Sequence, residues 1–300
     1  MLRAYSALNG ADDASVLEFD GLALTGAKAR DAFDALFASF VAADAPDLGF
    51  ALSQPVTASV GADPNLVVTT ALDVVDATDG LISLREAIDS AEANALAGSG
   101  GTTVSFDPTV FAAEDTAIEF ASGASQIVIV ESITIDGDAD GDGDGDVTVD
   151  ANGEDGVFTI DSAAGDATVT IDALTITGGL ATAADADGGG VFVGNGDTLV
   201  LSNGLVTANA VTGATDLTNN IFSSGGGLAT DGGSILIQDS VISNNSAPFG
   251  GGAYAINGEL NIESSTIVGN TSTDGCAGGV LIALSTVVIS ISLVTSNTAD

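Results

Sequence analysis

Three columns of like residues recur with constant spacing in successive segments, and they constrain this chain more than any other feature. Ile171, Leu201, Ile237, Ile262 and Ile289 form the first column, and Ile176, Val206, Ile242, Ile267 and Val294, always five positions later, form the second. The third lies eight positions beyond the first and reads Gly179, Asn209, Asn245, Asn270 and Asn297. A glycine-rich motif punctuates the same stretch as Gly188-Gly189-Gly190, Gly225-Gly226-Gly227, Gly250-Gly251-Gly252 and, degenerate, Ala277-Gly278-Gly279. Equivalent residues lie from 25 (Ile237 to Ile262) to 36 (Leu201 to Ile237) positions apart, within the range of solenoid repeats.

Helical repeats need long uninterrupted runs of 3.6 period, whereas the runs here are short, β-branched and broken by Gly, Asp and Asn. The expected architecture is therefore all-β: a right-handed parallel β-helix with about three short strands per turn. Each strand then pairs with its equivalent one repeat on, about 4.8 Å away. That stacking explains why the columns are homogeneous. Asn209, Asn245, Asn270 and Asn297 can form a structural ladder of amide hydrogen bonds along the axis. They can equally be residues that tolerate a left-handed turn.

Length varies almost only between the third column and the glycine run. The insertions Leu180 to Asp187 and Ala210 to Ser224 should emerge at one corner, and a ridge of this kind is a common binding face in solenoids. Asp185, Asp187, Asp216, Phe222 and Phe249 are the candidate residues of that edge, the two phenylalanines being also good corner-packing residues.

Residues 1–60 differ from the rest. A helix-like segment from Gly26 to Ala43 carries Phe33, Leu36, Phe37, Phe40 and Val41 at helical spacing, and Ala45 to Pro64 holds three of the five prolines, as a connection would. Residues 61–101 read as a β-like run, Leu66 to Leu72, and then a helix. Ser83 and Glu86 form an S-x-x-E capping box at its start, and Leu84, Ala87, Ile88, Ala91 and Ala95 make one apolar face. Such a helix suits the open end of a solenoid core. Residues 102–300 are the expected β-helix, which ends inside a repeat and so reads as truncated.

Charge narrows the function. The chain carries 42 acidic and 4 basic residues, a net charge of −38, yet 45% of its residues are apolar, enough for a core. Such a surface repels nucleic acid and anionic membrane and collects cations. No run approaches the roughly 18 apolar residues of a membrane span, the N-terminus lacks the apolar stretch of a cleavable export signal, and the single Cys276 excludes an internal disulfide framework.

Val67-Val68-Thr69-Thr70 to Asp79-Gly80, followed by Ile82-Ser83-Leu84-Arg85-Glu86-Ala87-Ile88, resembles the CSLREA-type domain of bacterial and archaeal surface or secreted proteins, with Ile82 in place of the cysteine that names it. Val104-Ser105-Phe106-Asp107-Pro108, Ile133-Thr134-Ile135-Asp136-Gly137 and Leu174 to Gly179 are similar to the segments found after that motif in such proteins. The glycine runs and Ile-Ser-Asn-Asn-Ser-Ala resemble repeats of pectate-lyase-like β-helices in adhesins and polymorphic outer-membrane proteins. The resemblance spans about residues 66 to 300 and implies an extracellular or cell-surface location and a glycan or protein ligand.

Lyases and epimerases on such β-helices need Arg or Lys near the substrate, and no basic residue follows Arg85. Arg85 itself is expected to pair with Asp89 one turn on or to pack at the cap. Glycoside hydrolysis needs only paired carboxylates, and Asp161, Asp166, Asp172, Asp197, Asp216, Asp231 and Asp239 offer many chance pairs. The strongest local signal is the alternation of Asp136, Asp138, Asp140, Asp142, Asp144 and Asp146 with small residues. It matches the opening D-x-D-x-D-G of a calcium loop in several registers. The closing Glu of an EF-hand is replaced by Val147 or Val149, so Asp150 or Glu154 would complete a looser Ca2+ shell. A solvated acidic turn is the alternative. The sequence thus points to a non-enzymatic surface protein of adhesin type, with a paired-Asp glycoside hydrolase or an inert spacer as the other readings.

Overall fold

The computed structural model describes residues 66–98, 100–111, 116–184, 186–213 and 223–299, together with the backbone of 3–5, 16–19 and 22–25. The chain divides into two compact units, Met1–Ser59 and Val60–Asp300. In the first, Arg3–Tyr5, Val16–Phe19 and Leu22–Thr25 form an antiparallel sheet. The expected helix from Gly26 to Ala43 and the connection Ala45 to Pro64 lie outside the described residues.

The second unit is built from four parallel sheets of eight, seven, six and five strands. Each repeat visits them in one order. Val191–Val193 lies in the six-stranded sheet, Thr198–Ser202 in the eight-stranded, Leu205–Thr207 in the seven-stranded and Ala210–Val211 in the five-stranded one. The next repeat follows with Leu228–Asp231, Ser234–Gln238, Val241–Ser243 and Ser246–Phe249. From Thr168 onward a repeat thus holds four strands, whereas the repeats before it hold the three that the sequence pattern suggests. The additional strand is as short as two residues and opens the segment of variable length, so it shows no alternation to betray it.

Register follows the sequence columns. Ile171, Leu201, Ile237, Ile262 and Ile289 are successive partners in the eight-stranded sheet, and Ile176, Val206, Ile242, Ile267 and Val294 in the seven-stranded one. The first four members of each column are fully buried and join one continuous core. A slip of one residue would turn each of these columns toward solvent.

The corners are equally regular. Between the eight- and seven-stranded sheets the chain turns through a left-handed residue: Ala173, Asn203, Asp239, Ser264 or Ile291. One position later stands a second ladder, of serines, that the sequence pattern does not announce. The N–H groups of Gly204, Ser240 and Ser265 donate to the Oγ of Ser240, Ser265 and Ser292 in the following repeat, at 3.0, 3.1 and 3.1 Å. Each of these hydroxyls in turn donates to the carbonyl two residues before it.

At the corner between the seven- and five-stranded sheets, Asn209, Asn245 and Asn270 are buried and Asn297 is half-buried. Each Oδ1 accepts both the backbone N–H and the side-chain amide of the asparagine one repeat earlier: Asn209 to Asn245 at 2.9 and 3.1 Å, then Asn245 to Asn270 and Asn270 to Asn297 at 2.9 and 3.0 Å. The other amide proton reaches back to the carbonyl of Ile176, Val206, Ile242 or Ile267. The left-handed residue is the one before the ladder, at Gly178, Ala208, Asn244, Gly269 and Ser296. Turn tolerance is therefore not what places asparagine in this column.

The glycine runs are required by the same stacking. Gly188, Gly225 and Gly250 hold φ near +70, +68 and +61°. A Cβ on Gly227 would meet the Gly252 carbonyl oxygen at 2.6 Å and the Asn245 amide nitrogen at 2.9 Å.

Helix α1, Leu84–Ala97, begins at the capping box of Ser83 and Glu86 and ends at Gly98 in the left-handed conformation. Its Leu84, Ala87, Ile88 and Ala91 join the main core, while Ala95 is half-buried. Glu92 ties it to the turn after Ile127–Ile129, its carboxylate accepting the N–H groups of Val130 and Glu131. Burial raises the pKa of Glu92; the two N–H groups oppose this, and the charges of Asp89 and Glu131 reinforce it.

Two outcomes are expected. Asn245→Ala strands the Asn209 N–H inside the protein. Chemical denaturation should show a loss of about 1–3 kcal/mol, the cost of one orphaned buried group, and a smaller loss for Asn297→Ala. The raised pKa of Glu92 means that its contribution to stability is complete below the unfolded value and is lost as pH rises through the folded one. Glu92→Gln should then raise Tm relative to wild type at pH 7, with the gap closing as the pH falls to 4.

Candidate functional site

The Asp-rich loop is an enlarged corner between the eight- and seven-stranded sheets. Thr134–Asp136 enters it and Val147–Asp150 leaves it. Its neck closes through a bond from Asp146 N–H to the Gly137 carbonyl at 3.1 Å. A Cβ on Gly137 or Gly145 would lie 2.3 or 2.6 Å from the Ala173 carbonyl oxygen of the next repeat. Only glycine fits against that neighbour.

Above the neck the backbone wraps around two carboxylates. Asp138 accepts the N–H groups of Gly141, Asp142 and Gly143, and Asp146 accepts those of Ala139 and Asp140. Carboxylate oxygens of Asp138, Asp140 and Asp146 all lie within 4.8 Å of one another. Asp146 is buried, Asp138 half-buried and Asp140 exposed, so the group opens to solvent on one side. Oxygen ligands at about 2.4 Å from a cation span up to about 4.8 Å across it. The triad therefore has the dimensions to hold a metal ion.

The remaining candidates stand apart from this triad. Asp136 accepts the N–H of Asp138, Asp142 that of Asp144 and Asp150 that of Asn152. Glu154 accepts the N–H of Gly123, on another turn. Asp144 is exposed. Desolvation, with Asp172 and Asp138 adding to it, raises the pKa of Asp136 against one N–H bond. Asp140 is raised by desolvation and by the charges of Asp142, Asp146 and Asp138, again against one N–H bond.

The insertions share one edge. Leu180–Ala181 pairs with Ala210–Val211 where they leave, and Asp187, Ser224 and Phe249 are bridged in a row where they return. Asp187 fixes that row by accepting from the N–H and hydroxyl of Ser224 at 2.9 and 2.6 Å. Of the candidate edge residues, Asp187 and half-buried Phe249 are thus brought onto one line. Asp185, Asp216 and Phe222 lie outside the described residues.

The carboxylates weighed for hydrolysis divide into anchors at separate corners and one pair, Asp161 and Asp166, that shares a cleft. Asp197 is fully buried and pins a loop of the preceding repeat, accepting from Ser162 N–H, Ser162 Oγ and Ala167 N–H at 2.8, 2.5 and 3.0 Å. Asp172 holds Ser202 Oγ and Asn203 Nδ2, and Asp231 holds Asn257 Nδ2. Asp239 occupies a left-handed corner, Asp161 and Asp166 line an open cleft with Glu131, and Asp216 lies outside the described residues.

Arg85 pairs with Asp73 and not with Asp89. Its Nε lies 2.6 Å from Asp73 Oδ1, its Nη2 donates to the Ser125 carbonyl at 2.7 Å, and its guanidinium stands 4.7 Å from the Phe120 ring centre. Asp73 also accepts the N–H of Ala121. Two further anchors at that site outweigh the i, i+4 pairing on the helix surface, which is worth only about 0.2–0.5 kcal/mol.

Comparison with protein-family models, curated proteins and solved structures returns no significant match. Among the described residues no helix is long and apolar enough to cross a membrane.

Proposed function

We propose that residues 66–300 close into a right-handed parallel β-helix, with α1 covering one end. In this reading the chain is a CSLREA-type surface or secreted protein that acts as an adhesin, displaying an elongated acidic face to a glycan or protein ligand. The observation that carries it is the division of labour within each repeat. From Ala173 onward the core columns and both ladders keep a constant frame, and most of the variation in length lies at the edge where Asp187, Ser224 and Phe249 align. A frame that varies mainly at one edge is suited to recognition. A catalytic reading has less support, because Asp172, Asp197 and Asp231 serve as hydrogen-bond anchors at separate corners and the chain has no basic residue after Arg85.

Calcium is the cation proposed for Asp138, Asp140 and Asp146. Hard oxygen ligands suit it, and three neighbouring carboxylates keep repulsion that their N–H bonds only partly offset.

Both parts are open to measurement. At low ionic strength, Ca2+ at a hundredfold excess over Kd should stabilise the protein by about 2.7 kcal/mol relative to chelator, a rise in Tm of about 5–10 °C. The gain should vanish in the triple variant Asp138→Asn, Asp140→Asn, Asp146→Asn. Equal melting with and without Ca2+ rejects the calcium site. Protease shaving of intact cells that express the protein should release its peptides while a cytoplasmic marker stays protected. Recovery of the intact chain in the cytosolic fraction alone rejects surface display.

A further inference from the structure

Asn244, Asn245 and Ser246 form an Asn-x-Ser tripeptide, the acceptor pattern for N-linked glycosylation. The chain contains one other, Asn270-Thr271-Ser272. The two lie in successive repeats but stand one position out of step with the asparagine ladder, and the fold treats them in opposite ways.

In the later tripeptide the acceptor asparagine is itself a rung. Asn270 and Ser272 are fully buried. The Asn270 amide donates to the Ile242 carbonyl and to Asn297 Oδ1, and Ser272 Oγ donates to the Pro248 carbonyl at 2.7 Å. In the earlier tripeptide the rung is the middle residue, Asn245. With Asn245 turned inward, Asn244 is exposed and Ser246 half-buried, and neither side chain makes a hydrogen bond among the described residues.

The surroundings of Asn244 also leave room for a large substituent. It occupies a left-handed corner with φ +56°, where its backbone N–H is held by the Val268 carbonyl. The equivalent corner residues are Ala208 and Gly269 in the adjacent repeats and Gly178 and Ser296 beyond them. Adjacent corners are only about 4.8 Å apart, so a sugar on Asn244 overlies both neighbours. Alanine and glycine there give it space. The Asn244 carboxamide already depends on that space, since a Cβ on Gly269 would meet its Oδ1 at 2.8 Å.

From this geometry we infer that Asn244 is an N-glycosylation site, receiving the oligosaccharide of a lipid-linked donor, and that Asn270 is excluded by the ladder. The transfer joins Asn244 Nδ2 to the anomeric carbon of the sugar and breaks the bond from that carbon to the phosphate of a polyprenyl carrier. The phosphate leaves with the bonding electrons, and the amide gives up one proton to a base of the transferase. The inference rests on the surface or secreted reading above, because such transfer accompanies export.

The test uses material shaved from cells that express the full chain. No Lys or Arg follows Arg85, so digestion is completed with a protease that cuts after Asp and Glu, which separates residues 240–259 from 264–274. Mass spectrometry should find the mass of one or more sugars on Asn244 in the first peptide and none on Asn270 in the second. Asn244→Gly suits the left-handed corner, and Ser246→Ala matches Ala210 one repeat earlier; each should abolish the added mass with circular dichroism unchanged. Ser246→Thr, matching Thr271 one repeat later, should keep it. Bare 240–259 peptide from shaved cells overturns the inference and leaves surface display standing. Added mass that survives in Ser246→Ala, or that sits on Asn270, overturns it too. Recovery in the cytosol alone with Asn244 bare overturns both readings.

Discussion

Every feature of the second unit depends on one interaction, the hydrogen bond between a residue and its own equivalent in the next repeat. Backbone pairing supplies it along the strands, and the Asn209, Asn245, Asn270 and Asn297 ladder supplies it at a corner, where parallel sheets otherwise leave backbone groups unpaired. These bonds hold only if every repeat returns to the same height and angle. The third glycine of each run follows from that requirement, because a methyl group there would strike both the next glycine carbonyl and a ladder amide. So does the placing of most extra residues at one edge, while the Asp-rich loop meets the same requirement by closing its neck through the Asp146 N–H and the Gly137 carbonyl.

Where sequence reasoning succeeds, the reason is physical. Parallel in-register pairing sets like on like, so the two apolar columns and the asparagines are visible as columns in the bare sequence. The serine ladder is hidden because its earlier positions are Leu174 and Gly204, and Gly204 takes part only through its N–H. The fourth strand is hidden by its brevity. Asp73 carries no periodic signal, being placed by its bonds to Arg85 and to the Ala121 N–H, which belong to tertiary structure. In the Asp-rich loop, alternation allows several registers. The choice of Asp138, Asp140 and Asp146 is made by the glycine neck against Ala173, which belongs to a later repeat.

The imbalance of charge is managed in a consistent way. With 42 acidic residues against 4 basic ones, carboxylates cannot generally find cations within the chain. Main-chain N–H groups take that role instead: three on Asp138, two on Asp146, two on Asp197 and two on Glu92. An N–H partner brings no side-chain entropy cost and needs no second charge to be desolvated. Arg85 is the exception among the described residues, placed where the strand Val67–Val68, α1 and the first repeats meet.

The shared exit and return of the insertions also bears on how such a chain changes over generations. The frame treats a whole repeat as its unit of inheritance, because duplicating or deleting one leaves every remaining residue beside an equivalent neighbour. Between Ala181 and Asp187, or Val211 and Ser224, it accepts segments of different length. Copying errors that would be ruinous in most folds are therefore sorted here into two tolerated kinds, an added repeat or a different edge. The edge can diversify without renegotiating the core.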